Sequence, residues 1–199
     1  MTPDVELMEK ATAGDGQAFE TLVSRYEQKV YHMALRYTGD QQEALDLAQE
    51  VFLRMYRTMD QYQPDCPVNI WIYRIADRVC KDTLNRSNVK VESLDQDPPY
   101  DIEIPDLRYN PESVYDRAAL RETIVDAVSA LPEHLRRVII LREIAGLSYE
   151  EIAVCLELEL GTVKSRIARG RDKLRSFLSK APPKPETNKA KGKKGGRDR

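Results

Sequence analysis

An all-α fold of two small helical domains, joined by a flexible acidic linker, is what this sequence predicts, with a helix-turn-helix in the second domain. Three observations carry that expectation. Apolar residues recur three and four positions apart through most of the chain, which is the period of one helical face. Helix-capping residues stand where those periodic segments begin and end. Between residues 87 and 111 the periodicity stops, in a stretch holding Pro98, Pro99, Pro105 and Pro111.

Taken in order, a short helix over Asp4 to Ala13 ends at Gly14, and Asp15 caps the next. There Phe19, Leu22, Val23, Tyr26, Val30, Met33, Ala34 and Tyr37 form the apolar stripe of a long helix that stops at Gly39. Asp40 and Glu43 have the spacing of a capping box and open a second long helix to about Met59. Its stripe of Ala44, Ala48, Val51, Phe52, Met55 and Met59 is widened by Leu45, Leu47 and Tyr56, enough surface for two partners or for burial between two neighbours. Pro64 and Pro67 mark a loop, and Pro67 suits the first turn of a third helix. That helix turns Ile70, Trp71, Ile75, Val79 and Leu84 to a core and leaves Arg74, Arg78, Lys81, Asn85 and Arg86 on an outer cationic face.

The linker is acidic: Glu92, Asp95, Asp97, Asp101, Glu103 and Asp106 are opposed mainly by Lys90 and Arg108. It lacks the glycine of a calcium loop and reads as a solvated tether. The second domain starts near Glu112, with Ala118, Ile124, Val125, Val128 and Leu131 leading to Pro132. A further helix carries Leu135, Val138, Ile139 and Leu141 as far as Gly146. Ser148 and Glu151 form a second capping-box pattern, starting a short helix with Ile152, Ala153 and Leu156 inward. A turn at Glu157 leads to the segment 160–171, where Val163 and Ile167 are the apolar supports. Thr162, Lys164, Ser165, Arg166, Arg169 and Arg171 crowd its polar side. Lys and Arg pair with phosphates, while Arg, Ser and Thr also reach base edges; a short helix, a tight turn and a basic second helix are the parts of a major-groove reader. The limits read as 1–86, 87–111, 112–178 and a disordered basic tail over 179–199, the tail serving either nucleic-acid affinity or solubility.

The 199 residues are 41% hydrophobic and 32% charged, with a formal net charge of -2, so any DNA contact is local rather than a bulk-charge effect. Cys66, Cys80 and Cys155 are far apart and His32 and His134 are isolated, which argues against a metal site or a disulfide framework. Neither cofactor, small-molecule substrate nor catalytic group is expected. No apolar run approaches the roughly 20 residues of a membrane span, and a cytoplasmic location is the expectation.

The blocks AFETLVSRYEQKVYHMALRYTGDQQEALDLAQEVFLRMYR, WIYRIADRVCKDTLNR and LPEHLRRVIILREIAGLSYEEIAVCLELELGTVKSRIARGRDKLR resemble the extracytoplasmic-function (group 4) sigma factors of bacterial RNA polymerase. The resemblance covers most of residues 18 to 175. It implies a sigma region two domain, a region four domain, and neither a region one extension nor a region three domain. The implied partners are core RNA polymerase, through the clamp helices of its largest subunit, promoter DNA, and an anti-sigma factor, often membrane-bound. It places Asp46, Leu47, Gln49, Glu50 and Phe52 at the polymerase, with Phe52 alternatively in the core. Asn69, Trp71, Arg74, Arg78, Lys81 and Arg86 are placed at the melted minus-ten element, with Trp71 alternatively in the core. The helix at 160–171 reads the minus-thirty-five element. Two departures stand out: Arg78 replaces the Asn of an RIAxN pattern, and Glu157 occupies a turn position often filled by Gly. Without the resemblance, a stand-alone regulator with an N-terminal sensing or oligomerisation domain accounts for the same helix-turn-helix.

Overall fold

The computed structural model describes residues 2–87 and 123–180. The acidic linker and nearly all of the basic tail lie outside the described residues. Among those residues every regular element is helical: α1 (Asp4–Thr12), α2 (Gly16–Thr38), α3 (Gln41–Thr58), a 3-10 turn (Met59–Gln61), α4 (Val68–Ser87), α5 (123–129), α6 (Glu133–Ile140) continued by a π turn (Leu141–Ala145), α7 (Tyr149–Leu156) and α8 (Leu160–Lys180).

Local chemistry sets most boundaries. Asp15 Oδ1 accepts from the backbone N–H groups of Gln17 and Ala18, at 2.9 and 3.2 Å, satisfying two of the donors that a helix start leaves open. Gly39 closes α2 at φ 75°, a left-handed conformation that costs glycine little. Asp40 accepts from Glu43 N–H at 2.9 Å, but the reciprocal half of the expected box is replaced: the Asp40 N–H donates to the Thr38 hydroxyl at 3.2 Å. At α7 the box is complete, Glu151 N–H to Ser148 Oγ at 3.1 Å and Ser148 N–H to Glu151 Oε2 at 2.7 Å.

Helices α2 and α3 run antiparallel, since Phe19 near the start of one meets Tyr56 near the end of the other, ring centroids 5.3 Å apart. α4 packs against both. Tyr73, fully buried, stands edge-on to Tyr26 at 5.8 Å, and the Tyr26 hydroxyl donates to Asp4, which also pairs with Arg25. α1 is thereby tied to α2. In the C-terminal half α8 lies against α6, and buried Gly170 lets the two backbones approach: a Cβ there would stand 2.7 Å from Ile139 Cγ1. Val163 and Ile167, 0% and 1% exposed, seat the same face.

Two features depart from the pattern read in the sequence. The apolar segment ending at Gly146 closes as a π turn, with Leu147 N–H reaching Leu141 O at 3.1 Å. The Gly146 N–H also bonds to Leu141 O, and Leu141, Ala145 and Leu147 are all buried. The second is Glu157 at φ 57°, ψ 47°, the one non-glycine residue at positive φ among the described residues. A side chain in that conformation costs on the order of 1 kcal/mol or more. The turn therefore keeps its left-handed geometry without glycine. Glu157→Gly is expected to raise stability by about 1 kcal/mol, about 2–4 °C in Tm for a chain of this size, as a thermal melt by circular dichroism will read. An unchanged or lowered Tm would show that the backbone is not strained there.

Candidate nucleic-acid interface

The recognition element is assembled from α7, the Glu157 turn and α8. The Ser148–Glu151 box fixes where α7 begins; Leu158 N–H to Ala153 O at 3.0 Å closes its end, and Val163 N–H to Glu159 O at 3.1 Å starts α8. With Val163, Ile167 and Gly170 buried, Thr162, Ser165, Arg166 and Arg169 fall at i, i+3, i+4 and i+7 on one face. All four are half-buried. Ser165 Oγ donates to Thr162 O at 3.0 Å, and Arg169 reaches the Ser165 carbonyl and hydroxyl at 3.4 and 3.3 Å. Lys164 and Arg171, seven residues apart, lie on the other flank rather than with these four. Lys164 is exposed, whereas Arg171 pairs with Glu143 Oε1 at 2.8 Å and anchors α8 to the π turn. Burial opposes the Arg171 charge, but the bond to Glu143 wins and holds the guanidinium above its ordinary range.

On α4, Trp71, Arg74, Arg78 and Lys81 form one stripe at steps of three and four, with Asn69 half-buried on the first turn and off that stripe. Arg86 belongs to the last turn, and its side chain is outside the described residues. Trp71 is half-buried, edge-on to Tyr62 at 5.5 Å, and Tyr62 donates to Cys66 O at 2.7 Å. Trp71, Arg74 and the 61–67 loop line a cleft of about 550 Å³ whose far wall is Glu150, Glu151 and Val154 of α7. Of the cationic face expected to be outermost, Arg78 is exposed, while Arg74 and Lys81 are half-buried beside the C-terminal half. Arg74 donates to Val154 O at 2.9 Å, Arg78 stands 3.7 Å from Glu157, and Lys81 is 3.9 Å from Glu133.

On α3, Asp46 and Gln49 are exposed. Glu50 pairs with Arg54 at 2.7 Å, and Arg54 reaches Asp82 of α4 at 3.4 Å. Leu47, 8% exposed, packs in the core, while Phe52 is half-buried. Phe52 lines an apolar groove of about 750 Å³ with Phe19, Val23, Gln49, Leu53 and Tyr56. Leu53 and Tyr56, 49% and 59% exposed, present the apolar surface that Leu47 does not.

A group absent from the candidate residues lies at the centre. Asp77 of α4, 2% exposed, accepts from Tyr37 OH at 2.6 Å and from Arg137 Nε and NH2 at 3.0 and 2.5 Å. Burial and the Asp77 carboxylate push the Tyr37 phenol far above its usual range. Burial opposes the Arg137 charge too, yet the Asp77 bond overrides it. A signal for Asp77 existed in the sequence: it interrupts an apolar stripe between Tyr73 and Cys80. Its partner, 60 residues away, carried none. Cys80 and Cys155 are buried and Cys66 half-buried, all three as free thiols, and burial pushes Cys155 up to about 12. Among the described residues no cluster of three or more metal-ligating side chains occurs, and no helix is long and apolar enough to cross a membrane.

Residues 22–89 match the family model of sigma-70 region 2, and residues 121–174 that of sigma-70 region 4. The chain is 35% identical to the RNA polymerase sigma-H factor of Pseudomonas aeruginosa, over 88% of its own length and 93% of that protein's. It is also 37% identical to the ECF RNA polymerase sigma-E factor of Escherichia coli K12, over 85% of this chain and 91% of that one. This chain belongs to the ECF sigma factors. With SigE of Mycolicibacterium smegmatis it shares 38% over 82% of its length, but spans only 62% of that longer protein. Among solved structures, CnrH in complex with the cytosolic domain of CnrY superposes with a TM-score of 0.69 at 25% identity, covering 90% of this sigma factor and 99% of CnrH. RpoE of Bartonella quintana, solved with the anti-sigma factor NepR, superposes at 0.61 and 20%, covering 82% and 98%, and shares the fold.

Proposed function

We propose that this chain binds core RNA polymerase and directs it to a set of promoters, reading the minus-thirty-five element as duplex with α8 and the minus-ten element as melted strand with α4 and the 61–67 loop. The observation that carries the reading is the occurrence of both sigma regions in one chain, with the basic face of Thr162, Ser165, Arg166 and Arg169 mounted on a capped helix-turn-helix. Its catalytic partner is the polymerase; this chain supplies binding. The domain limits of 1–86 and 112–178 follow from the same reading, as does action in the cytoplasm, where polymerase and promoter DNA meet.

Each surface has a chemical task. On α8, Arg and hydroxyl side chains meet base edges and phosphates in the major groove. On α4, Arg74, Arg78 and Lys81 neutralise phosphates of the opened strand, and the cleft beside Trp71 takes an unstacked base, offsetting a few kcal/mol of lost stacking. On α3, exposed Asp46 and Gln49 and half-buried Glu50, together with the groove of Phe19, Phe52 and Tyr56, meet the clamp helices of the polymerase; Leu47 acts there by shaping the helix from beneath. An anti-sigma factor, of the kind seen with RpoE of Bartonella quintana, is the third partner.

The test is assembly of the purified chain with core polymerase, followed by in vitro transcription on genomic fragments and mapping of start sites. Specific starts that require the chain are expected. Duplex binding without polymerase association would instead establish a stand-alone regulator. Within this assay Arg166→Ala is expected to lower promoter-specific initiation by about 1–3 kcal/mol, roughly 5- to 150-fold, if the guanidinium makes a bidentate base contact. Initiation at the wild-type level would remove Arg166 from the readout.

A further inference from the structure

The side of α4 assigned above to the minus-ten strand is occupied by the protein itself. The described cations of that stripe face the C-terminal half: Arg74 donates to the Val154 carbonyl, while Arg78, still 65% exposed, stands near Glu157 and Lys81 near Glu133. Behind them, Asp77 receives a two-point bond from Arg137 of α6, and Arg136 beside it donates to Tyr37 O at 3.3 Å. Glu150, Glu151 and Val154 of α7 wall the cleft that would take a base. While α7 sits there, a DNA phosphate would have to compete with the Val154 carbonyl for Arg74.

We propose that this sigma factor is self-masked: before it meets polymerase, α6 and α7 dock on the DNA-reading side of α4 through an Asp77–Arg137 latch, and opening of that contact exposes the minus-ten surface. The inference rests on the function proposed above and adds a regulatory step to it. The chemistry of the contact suits a reversible joint. Its centre is an ion pair, and ion pairs specify an arrangement more than they stabilise it, because desolvation offsets much of the attraction. Nor is the contact perfectly matched: Arg74 Nε and Arg136 Nε are buried with no hydrogen-bond partner among the described residues. On opening, Asp77, Arg137, Arg74 and Arg136 all regain water, which offsets part of the cost of parting the apolar residues that the two halves bury together.

The direct test places spin labels at exposed Gln28 on α2 and Ser176 on α8, as Gln28→Cys and Ser176→Cys in a Cys66→Ser background, and measures the distance distribution in the full chain. A narrow distribution is expected. Arg137→Glu, which sets a carboxylate against Asp77, is expected to broaden and lengthen it, with helix content retained; Arg137→Gln does the same more weakly, and stands in should the charge-reversed chain not fold. A broad distribution in the parent chain, or one that neither substitution changes, overturns the latch. The same chains are then titrated with a fluorescent random-sequence 12-nucleotide single strand at low salt, where freed phosphate-binding cations add affinity. About fivefold tighter binding by the opened chains is expected; equal binding overturns the masking. Failure of the parent chain to support specific transcription with polymerase would sink the proposed function, and the distance measurement would still decide closure independently.

Discussion

Tyr73→Ala is expected to destabilise helices α1–α4 by about 3–5 kcal/mol, the range for removing a large aromatic from a core that cannot collapse around the gap. Tyr73 is 1% exposed and fills the space between α4 and Tyr26, whose hydroxyl in turn holds Asp4 and the start of α1. One truncation therefore loosens three helices. Set against a total of about 5–15 kcal/mol for a typical domain, the loss leaves this half of the molecule marginal at physiological temperature. Urea unfolding followed by the fluorescence of Trp71, the sole tryptophan, measures it, and a midpoint near the parent's would mean that α4 is seated by other contacts. Function should follow stability: minus-ten opening falls with the population of folded α4, and a companion Tyr73→Phe should restore both, since the ring and not the hydroxyl supplies the packing.

Gly170→Val is expected to cost about 3 kcal/mol in the C-terminal half. A Cβ at this position would stand 2.7 Å from Ile139 Cγ1 and 3.0 Å from Cδ1, and Ile139 is itself buried and has little room to turn away. Valine adds two methyl groups beyond that Cβ, so α8 must lift from α6, with overpacking costs of about 1–3 kcal/mol or somewhat more. Its β-branch adds a small loss of helix propensity to the strain, although replacing a mid-helix glycine would by itself be favourable by under about 1 kcal/mol. The net sign is decided by the clash. Duplex binding through α8 should weaken in proportion to the loss of the docked helix, while the Trp71 signal from α4 keeps its parent midpoint in urea. Stability at or above the parent value would show that Ile139 repacks freely and that the close approach is not required.

The two halves of the molecule differ in what the linear sequence revealed. Asp15, Gly39, Gly146, Ser148 and Glu151 each act on backbone groups within about four residues, so their effect is written in adjacent letters and the helix limits follow. The apolar stripes are equally local: Val163 and Ile167, one turn apart, announce the buried side of α8 before any partner is known. Capping was less certain where hydroxyls compete, as at Asp40, whose N–H is taken by Thr38 rather than Glu43. Among the site residues, periodicity separated Thr162, Ser165, Arg166 and Arg169 from the core but did not distinguish them from Lys164 and Arg171, because a polar residue on either flank reads alike until Glu143 is seen beside one of them. Leu47 and Leu53 posed the same problem on α3. Both are leucines on a broad apolar stripe, and only the position of the neighbouring helices makes one 8% and the other 49% exposed.

By itself, then, the sequence determined the helical architecture, the helix-turn-helix, and the likeness to the sigma regions two and four that places this chain among the ECF sigma factors; these depend on interactions within a few residues or on residue order alone. The tertiary structure decided which surfaces remain available. It set Arg137 on Asp77, 60 positions away, widened the chain at Leu141–Ala145 into a π turn, and laid α7 beside Arg74. The physical reason is that a buried charge has no preferred partner in sequence: its desolvation must be offset by whichever opposite charge the packing of distant helices brings within about 3 Å.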